Sequence, residues 1–215
     1  MSRSTRTVVF VHGLWMTGHE SIILRRELKK DLDAEIVLFS YRSVVNNVSE
    51  NALQLREFLH VLNSEQVDLV GHSLGGLVIL KCLEAGATFP PGRVVLLGPP
   101  LQGCEAARSL SRFPFLKAVL GRGIEQEVTG TTLRRWNGAR PVGVIAGDLS
   151  MGLGRLVASL TAPNDGTVMV SETMMDGVAD HIVLPVSHTG MVFSSLVASQ
   201  TAEFLRNGRF TFQRA

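Results

Sequence analysis

One serine in this sequence stands between two glycines: Gly71-His72-Ser73-Leu74-Gly75 fits the pattern Gly-x-Ser-x-Gly. A short apolar run, Val67–Val70, precedes it, and an apolar helical run, Leu74–Ala85, follows it, with Gly86 as a stop. A serine on so abrupt a strand-to-helix turn has a strained backbone and needs neighbours without bulk. It also lies at a helix N-terminus, where N–H groups and the dipole favour developing negative charge. A hydroxyl becomes a nucleophile near neutral pH only if a base lies within hydrogen-bond reach and an acceptor fixes that base's tautomer. The chemistry to look for is therefore serine, base, acid and a pair of oxyanion donors.

Six histidines are available as bases. His188 follows the C-terminal end of the last strand, on the same edge as Ser73, and is the expected base. His60 has the polar neighbours of a helix surface, and His181 begins a strand at the opposite edge. His19 belongs to the first loop, and His72 should point away from the substrate side. For the acid, Asp148 stands directly at a strand end. Asp165 lies in Asn164-Asp165-Gly166-Thr167-Val168, a tight turn able to aim a carboxylate inward. Asp165 is favoured, with Asp148 kept open. The amide after the nucleophile, Leu74, offers one oxyanion donor, and Leu14 in His12-Gly13-Leu14 is placed to offer the other. Trp15 and Met16, next in that loop, are either core or the wall of a substrate-binding site.

These residues need elements to carry them. Apolar β-branched runs at Thr7–Val11, Glu35–Ser40, Val67–Val70, Arg93–Leu97, Pro141–Ala146 and Asp180–Pro185 read as strands. Helical patterns lie between them at Ser21–Lys30 (with Ile22, Ile23, Leu24 and Leu28 facing inward), Val44–Leu62, Leu74–Ala85 and Met191–Arg206. The alternation implies an α/β fold, a mostly parallel, doubly wound sheet of about six strands. His12, Ser40, Ser73 and Pro99 all follow C-terminal strand ends, where such sheets gather functional groups. Residues 101–140 are broken by Pro114 and several glycines, and read either as a crossover or as a small cap or lid. Residues 1–215 are otherwise one domain without repeats.

With 45% hydrophobic and 19% charged residues, this is an ordinary globular composition, and a net charge of +2 without an aromatic-laced basic stripe excludes a nucleic-acid partner. Cys82 and Cys104 have neither disulfide-framework nor metal-ligand spacing. No run reaches the ~18 apolar residues of a membrane span, and no signal segment is visible, so a cytoplasmic location is expected.

Phe10-Val11-His12-Gly13-Leu14, Val70-Gly71-His72-Ser73-Leu74-Gly75-Gly76, Asn164-Asp165-Gly166-Thr167-Val168 and Ser187-His188-Thr189 occur in that order across nearly the whole chain. In this the sequence resembles the α/β-hydrolase superfamily, most of all the small bacterial lipases and esterases. The resemblance implies a catalytic triad of Ser73, Asp165 and His188, with oxyanion donors Leu14 and Leu74. It implies a carboxylesterase or lipase acting on a small-molecule acyl ester or lipid through an acyl-enzyme, without cofactor or metal. A thioesterase or acyltransferase would use the same triad, and a non-enzymatic binding protein of this fold would be expected to lack a triad member. The sequence departs from the family in starting on its first parallel strand, so the two opening strands of the full fold are expected to be missing. It also leaves room for only a short cap.

Overall fold

The computed structural model describes residues 4–84, 89–111, 135–138, 140–151, 160–161 and 163–212. In chain order the regular elements among them are β1 (Ser4–Val11), α1 (Ile22–Asp31), β2 (Glu35–Phe39), α2 (Val48–His60), β3 (Ser64–His72), α3 (Leu74–Glu84), β4 (Val94–Leu97), α4 (Glu105–Ser111), β5 (Val142–Gly147), β6 (Asp180–Leu184) and α5 (Ser195–Asn207). The six strands form one sheet in the order β2-β1-β3-β4-β5-β6. Every neighbouring pair is parallel.

Successive residues of a strand point to opposite faces, and a sheet covered on both faces must be apolar at both sets of positions. β1 shows this directly. Val9 and Val11 join Leu69, Leu96 and Val144 in a core completed by Leu55 and Leu59 of α2 and Leu77, Val78 and Leu80 of α3. Val8 and Phe10 join Val70, Val95 and Ile145 in a second core with Leu24 and Leu28 of α1 and Phe204 and Leu205 of α5. The fold is thus the expected helix–sheet–helix sandwich.

Several element boundaries differ from the sequence reading, each for a local reason. α2 begins at Val48 rather than Val44 because Asn47 caps it: the Asn47 side chain accepts from the Glu50 amide at 2.8 Å, and the Glu50 carboxylate accepts from the Asn47 amide at 2.9 Å. The final helix starts at Ser195, capped by Ser194, and a separate 3-10 turn takes Thr189–Phe193. In α1, Leu24 and Leu28 face the sheet, whereas Ile22 is 63% and Ile23 44% exposed. Ile22 lies about 200° around the helix from Leu24, so both cannot face the core. Most of the expected cap, 101–140, lies outside the described residues; the part described includes α4.

β3 is longer than its apolar run because it pairs with β1 from Ser64 to Gly71. It carries the fully buried Asp68 at the sheet edge away from Ser73. The carboxylate accepts from Arg6 Nε at 2.7 Å and from the Arg93 amide at 2.6 Å. The guanidinium groups of Arg6 and Arg93 also donate to the Leu205 carbonyl in the last turn of α5, at 2.7 and 2.8 Å, where cations suit the helix dipole. Removing the carboxylate takes a buried acceptor away from Arg6 Nε and the Arg93 amide. Asp68→Ala is accordingly expected to lower the unfolding free energy by about 2–4 kcal/mol, measured by urea denaturation. A change below ~0.5 kcal/mol would show that the cluster contributes nothing.

Candidate active site

The sheet order reverses direction at β1: β2 lies on one side of it, while β3 and the later strands lie on the other. Ligands of open parallel sheets bind at such a switch point, beyond the C-terminal strand ends. The register pairs Val11 with Gly71, so the loop after β1 and the turn after β3 leave the sheet side by side.

Ser73 occupies the turn between β3 and α3 in the left-handed region, at φ 53°. Its amide donates to the Leu97 carbonyl at 2.8 Å, and its carbonyl accepts from the Gly76 amide at 3.0 Å. The turn closes this tightly because Gly75 has no side chain: a β-carbon there would run into the carbonyl oxygens of Val11 and His12. The Ser73 hydroxyl points at His188, with Oγ 2.9 Å from Nε2.

His188 follows β6, and its Nδ1 is 2.7 Å from Asp165 Oδ2. A carboxylate only accepts, so Nδ1 carries the proton, and Nε2 is left to accept from the Ser73 hydroxyl. The other carboxylate oxygen, Oδ1, accepts from the amides of Thr167 at 2.9 Å and Val168 at 2.7 Å. Asn164 builds the turn by accepting from the Gly166 amide at 2.9 Å. The His188 amide in turn donates to the Asp165 carbonyl at 2.9 Å. Gly98, at φ 56°, passes close beneath this pair, and a β-carbon on it would sit 3.1 Å from both Asp165 Oδ2 and His188 Nδ1. Of the two candidate acids, the structure brings Asp165 to His188. Asp148 remains at the end of β5, its amide donating to the Leu184 carbonyl at 3.1 Å.

The two candidate oxyanion amides are set by different means. Leu74 is the first residue of α3, so its N–H has no intrahelical acceptor. Leu14 follows Gly13, whose carbonyl is held by His12 Nδ1 at 2.8 Å. In a trans peptide the carbonyl and the next N–H point oppositely, so this bond turns the Leu14 N–H away from the His12 ring. His12 is itself fixed: Nε2 accepts from the Tyr41 amide at 3.2 Å, the Tyr41 hydroxyl donates to the His12 carbonyl at 2.7 Å, and the two rings stack at 4.3 Å. Of the two residues left open in that loop, Met16 packs against the core on the α1 side, and Trp15 is 54% exposed.

The ring roles of His12 and His72, and any part for Tyr41, were absent from the sequence reading. Both histidines are buried, and burial lowers both pKa values, that of His72 to about 3. His181, bonded to Thr173 Oγ1 at 2.9 Å near the other edge, is lowered by burial as well. Among the described residues, no cluster of His, Cys, Asp and Glu is arranged to hold a metal ion, and no helix is long and apolar enough to cross a membrane.

The model of the alpha/beta hydrolase family matches residues 8–201, and the chain belongs to that family. No curated protein sequence matches it. Solved structures of similar fold include the mature lipase BlEst2 of Bacillus licheniformis, at 18% identity and TM-score 0.73 over 93% of this chain and 90% of that one. The phospholipase PlaB of Legionella pneumophila aligns at 18% identity and TM-score 0.72, over 94% of this chain and 56% of that one. A metagenomic carboxyl esterase, MGS0156, aligns at 17% identity and TM-score 0.69, over 96% of this chain and 76% of that one.

The three histidines whose pKa values desolvation lowers make stability depend on pH. Each has an ordinary value of 6.5 and a lower one when folded, so below that pH the unfolded chain binds protons that the folded chain refuses. Their contribution is complete above about pH 6.5 and is lost as the pH falls toward the folded values. The unfolding free energy is expected to fall between pH 6.5 and 5, with a limiting slope of about 1.4 kcal/mol per unit from His72, and His12 and His181 act in the same direction. Urea titrations across that range measure it, and a flat profile would contradict it.

Proposed function

We propose that this protein is a serine hydrolase of carboxylic esters, with Ser73 as nucleophile, His188 as base and Asp165 as the acid. One observation carries the reading: the unbroken hydrogen-bond chain from Ser73 Oγ through His188 to Asp165, with links of 2.9 and 2.7 Å. His188 Nε2 takes the hydroxyl proton as Ser73 attacks the ester carbonyl, and Asp165 stabilises the resulting imidazolium. The Leu14 and Leu74 amides hold the tetrahedral oxyanion. His188 then protonates the leaving alcohol. Water, deprotonated by the same nitrogen, releases the acyl group from Ser73.

An ester with an apolar acyl part suits the surroundings. Trp15, Leu149 and Phe193 are exposed large apolar side chains in the loops leaving β1, β5 and β6, on the strand edge that carries Ser73. The structural neighbours are described as a lipase, a phospholipase and a carboxyl esterase, which agrees with ester chemistry. No step requires a metal or an organic cofactor, and the substrate is a small molecule.

A fluorophosphonate probe is expected to label Ser73 covalently. Against a chain-length series of model esters and matching thioesters, Ser73→Ala should reduce kcat by about 10⁴-fold or more and Asp165→Asn by about 10³- to 10⁴-fold. Asp148→Asn should stay within about threefold of the parent, because it is the Asp165 carboxylate that His188 Nδ1 bonds. Unlabelled folded protein, or hydrolysis that survives Ser73→Ala, would refute the assignment. A thioester preference would move the substrate class while keeping the mechanism.

A further inference from the structure

His72, adjacent to Ser73, points away from the hydroxyl and into the protein, where it is 1% exposed. Its Nε2 lies 3.0 Å from the main-chain carbonyl oxygen of His188, with the two rings 4.9 Å apart. A carbonyl only accepts, so Nε2 carries the proton and Nδ1 is a bare acceptor. That Nδ1 has no hydrogen-bond partner. It faces the loop after β1 closely enough that a β-carbon on Gly13 would sit 3.0 Å from it. The ring therefore fills the space between the three loops that supply Ser73, His188 and the Gly13–Leu14 peptide.

We propose that His72 is a positioning residue: by donating to the His188 carbonyl, it sets where the His188 imidazole stands relative to Ser73. The proposal rests on the serine-hydrolase reading above. His188 lies on a loop, so its imidazole is only as well placed as its backbone. Both polar groups of that backbone are tied, the amide to the Asp165 carbonyl at 2.9 Å and the carbonyl to His72 at 3.0 Å. The first tie references the base to its acid. The second references it to the residue covalently joined to the nucleophile, so Ser73 and His188 are measured from one rigid turn. Main-chain anchors of this kind hold a reacting group within the few tenths of an ångström that proton transfer demands.

The bond also keeps its sense through turnover. The titratable groups facing the ring are His188, Asp165 and His12, and burial with a neighbouring His188 holds His72 at about 3. His72 thus stays a neutral Nε2–H donor while His188 gains and loses its proton. An apolar ring of similar size would fill the same space without an orphaned nitrogen, but it would not hold the carbonyl.

The test compares His72→Leu with His72→Gln, whose amide N–H can reach the position of Nε2. His72→Leu should lower kcat roughly 10- to 100-fold, with fluorophosphonate labelling of Ser73 slowed in proportion. Its KM should stay within about threefold of the parent value. His72→Gln should recover most of that loss. In the unsubstituted protein, two-bond ¹H–¹⁵N spectra of the histidine rings should show His72 as the Nε2–H tautomer, unchanged between pH 8 and pH 5. A parent-like kcat in His72→Leu, or a Gln variant no better than a Leu variant of equal urea midpoint, would overturn the proposal. An Nδ1–H tautomer, or titration near 6.5, would do the same. If His72→Leu does not fold, the Gln variant and the spectra decide. An unlabelled parent protein would remove the hydrolase reading and this one with it, whereas a labelled parent with an indifferent Leu variant would remove this one alone.

Discussion

The structure depends on a left-handed residue pressed against the end of a neighbouring strand. Ser73 and Trp15 are the non-glycine residues with positive φ among those described, and both stand in loops at the same switch point. A left-handed residue with a side chain costs about 1–2 kcal/mol. At Ser73 that cost is met by hydrogen bonds to Leu97 and Gly76 and by the close approach of α3 to the end of β1. With the turn fixed, the other loops have little freedom. The hydroxyl must face the strand end, the α3 N-terminus must open beside it, and β4 must finish at Leu97 to receive the amide.

Electrostatics divides the histidines of this region into two kinds. The rings of His12 and His72 are buried with their hydrogen bonds made to the backbone, and desolvation is the largest influence on each, lowering both pKa values. His188 lies against Asp165, whose carboxylate is aimed by two backbone amides. Three imidazoles crowd one small volume, and the carboxylate faces His188. Charge can therefore develop on His188 without a second cation beside it, which suits the base role proposed for it.

The two aspartates show what separates a candidate from a partner. Asp148 stands at the end of β5, and Asp165 lies many residues farther along, beyond a long connection. Linear distance from a strand end would favour Asp148. The tight turn around Asn164 and Gly166 overrides it, because it points the carboxylate back toward Gly98 and the end of β6. Asp68, fully buried among arginines on the far edge, was not distinguished by any pattern in its apolar strand.

What this sequence determined by itself is local: apolar runs long enough for strands, glycines where a turn must be tight, and a serine, an Asn-Asp-Gly turn and a histidine after three separate strands. Those features depend on neighbours a few residues away, so they are legible one residue at a time. Tertiary structure decided the rest. Tyr41 reaches His12 across 29 positions, and His72 reaches His188 across 116. No periodicity encodes either contact, because each exists only once the sheet has set its strand order and register. The boundaries of α2 and α5 moved for a milder form of the same reason, since a cap competes with the helix for a few residues and hydrogen-bond geometry settles where the helix starts. Composition and spacing named residues capable of the chemistry, and packing determined which of them stand within hydrogen-bond reach.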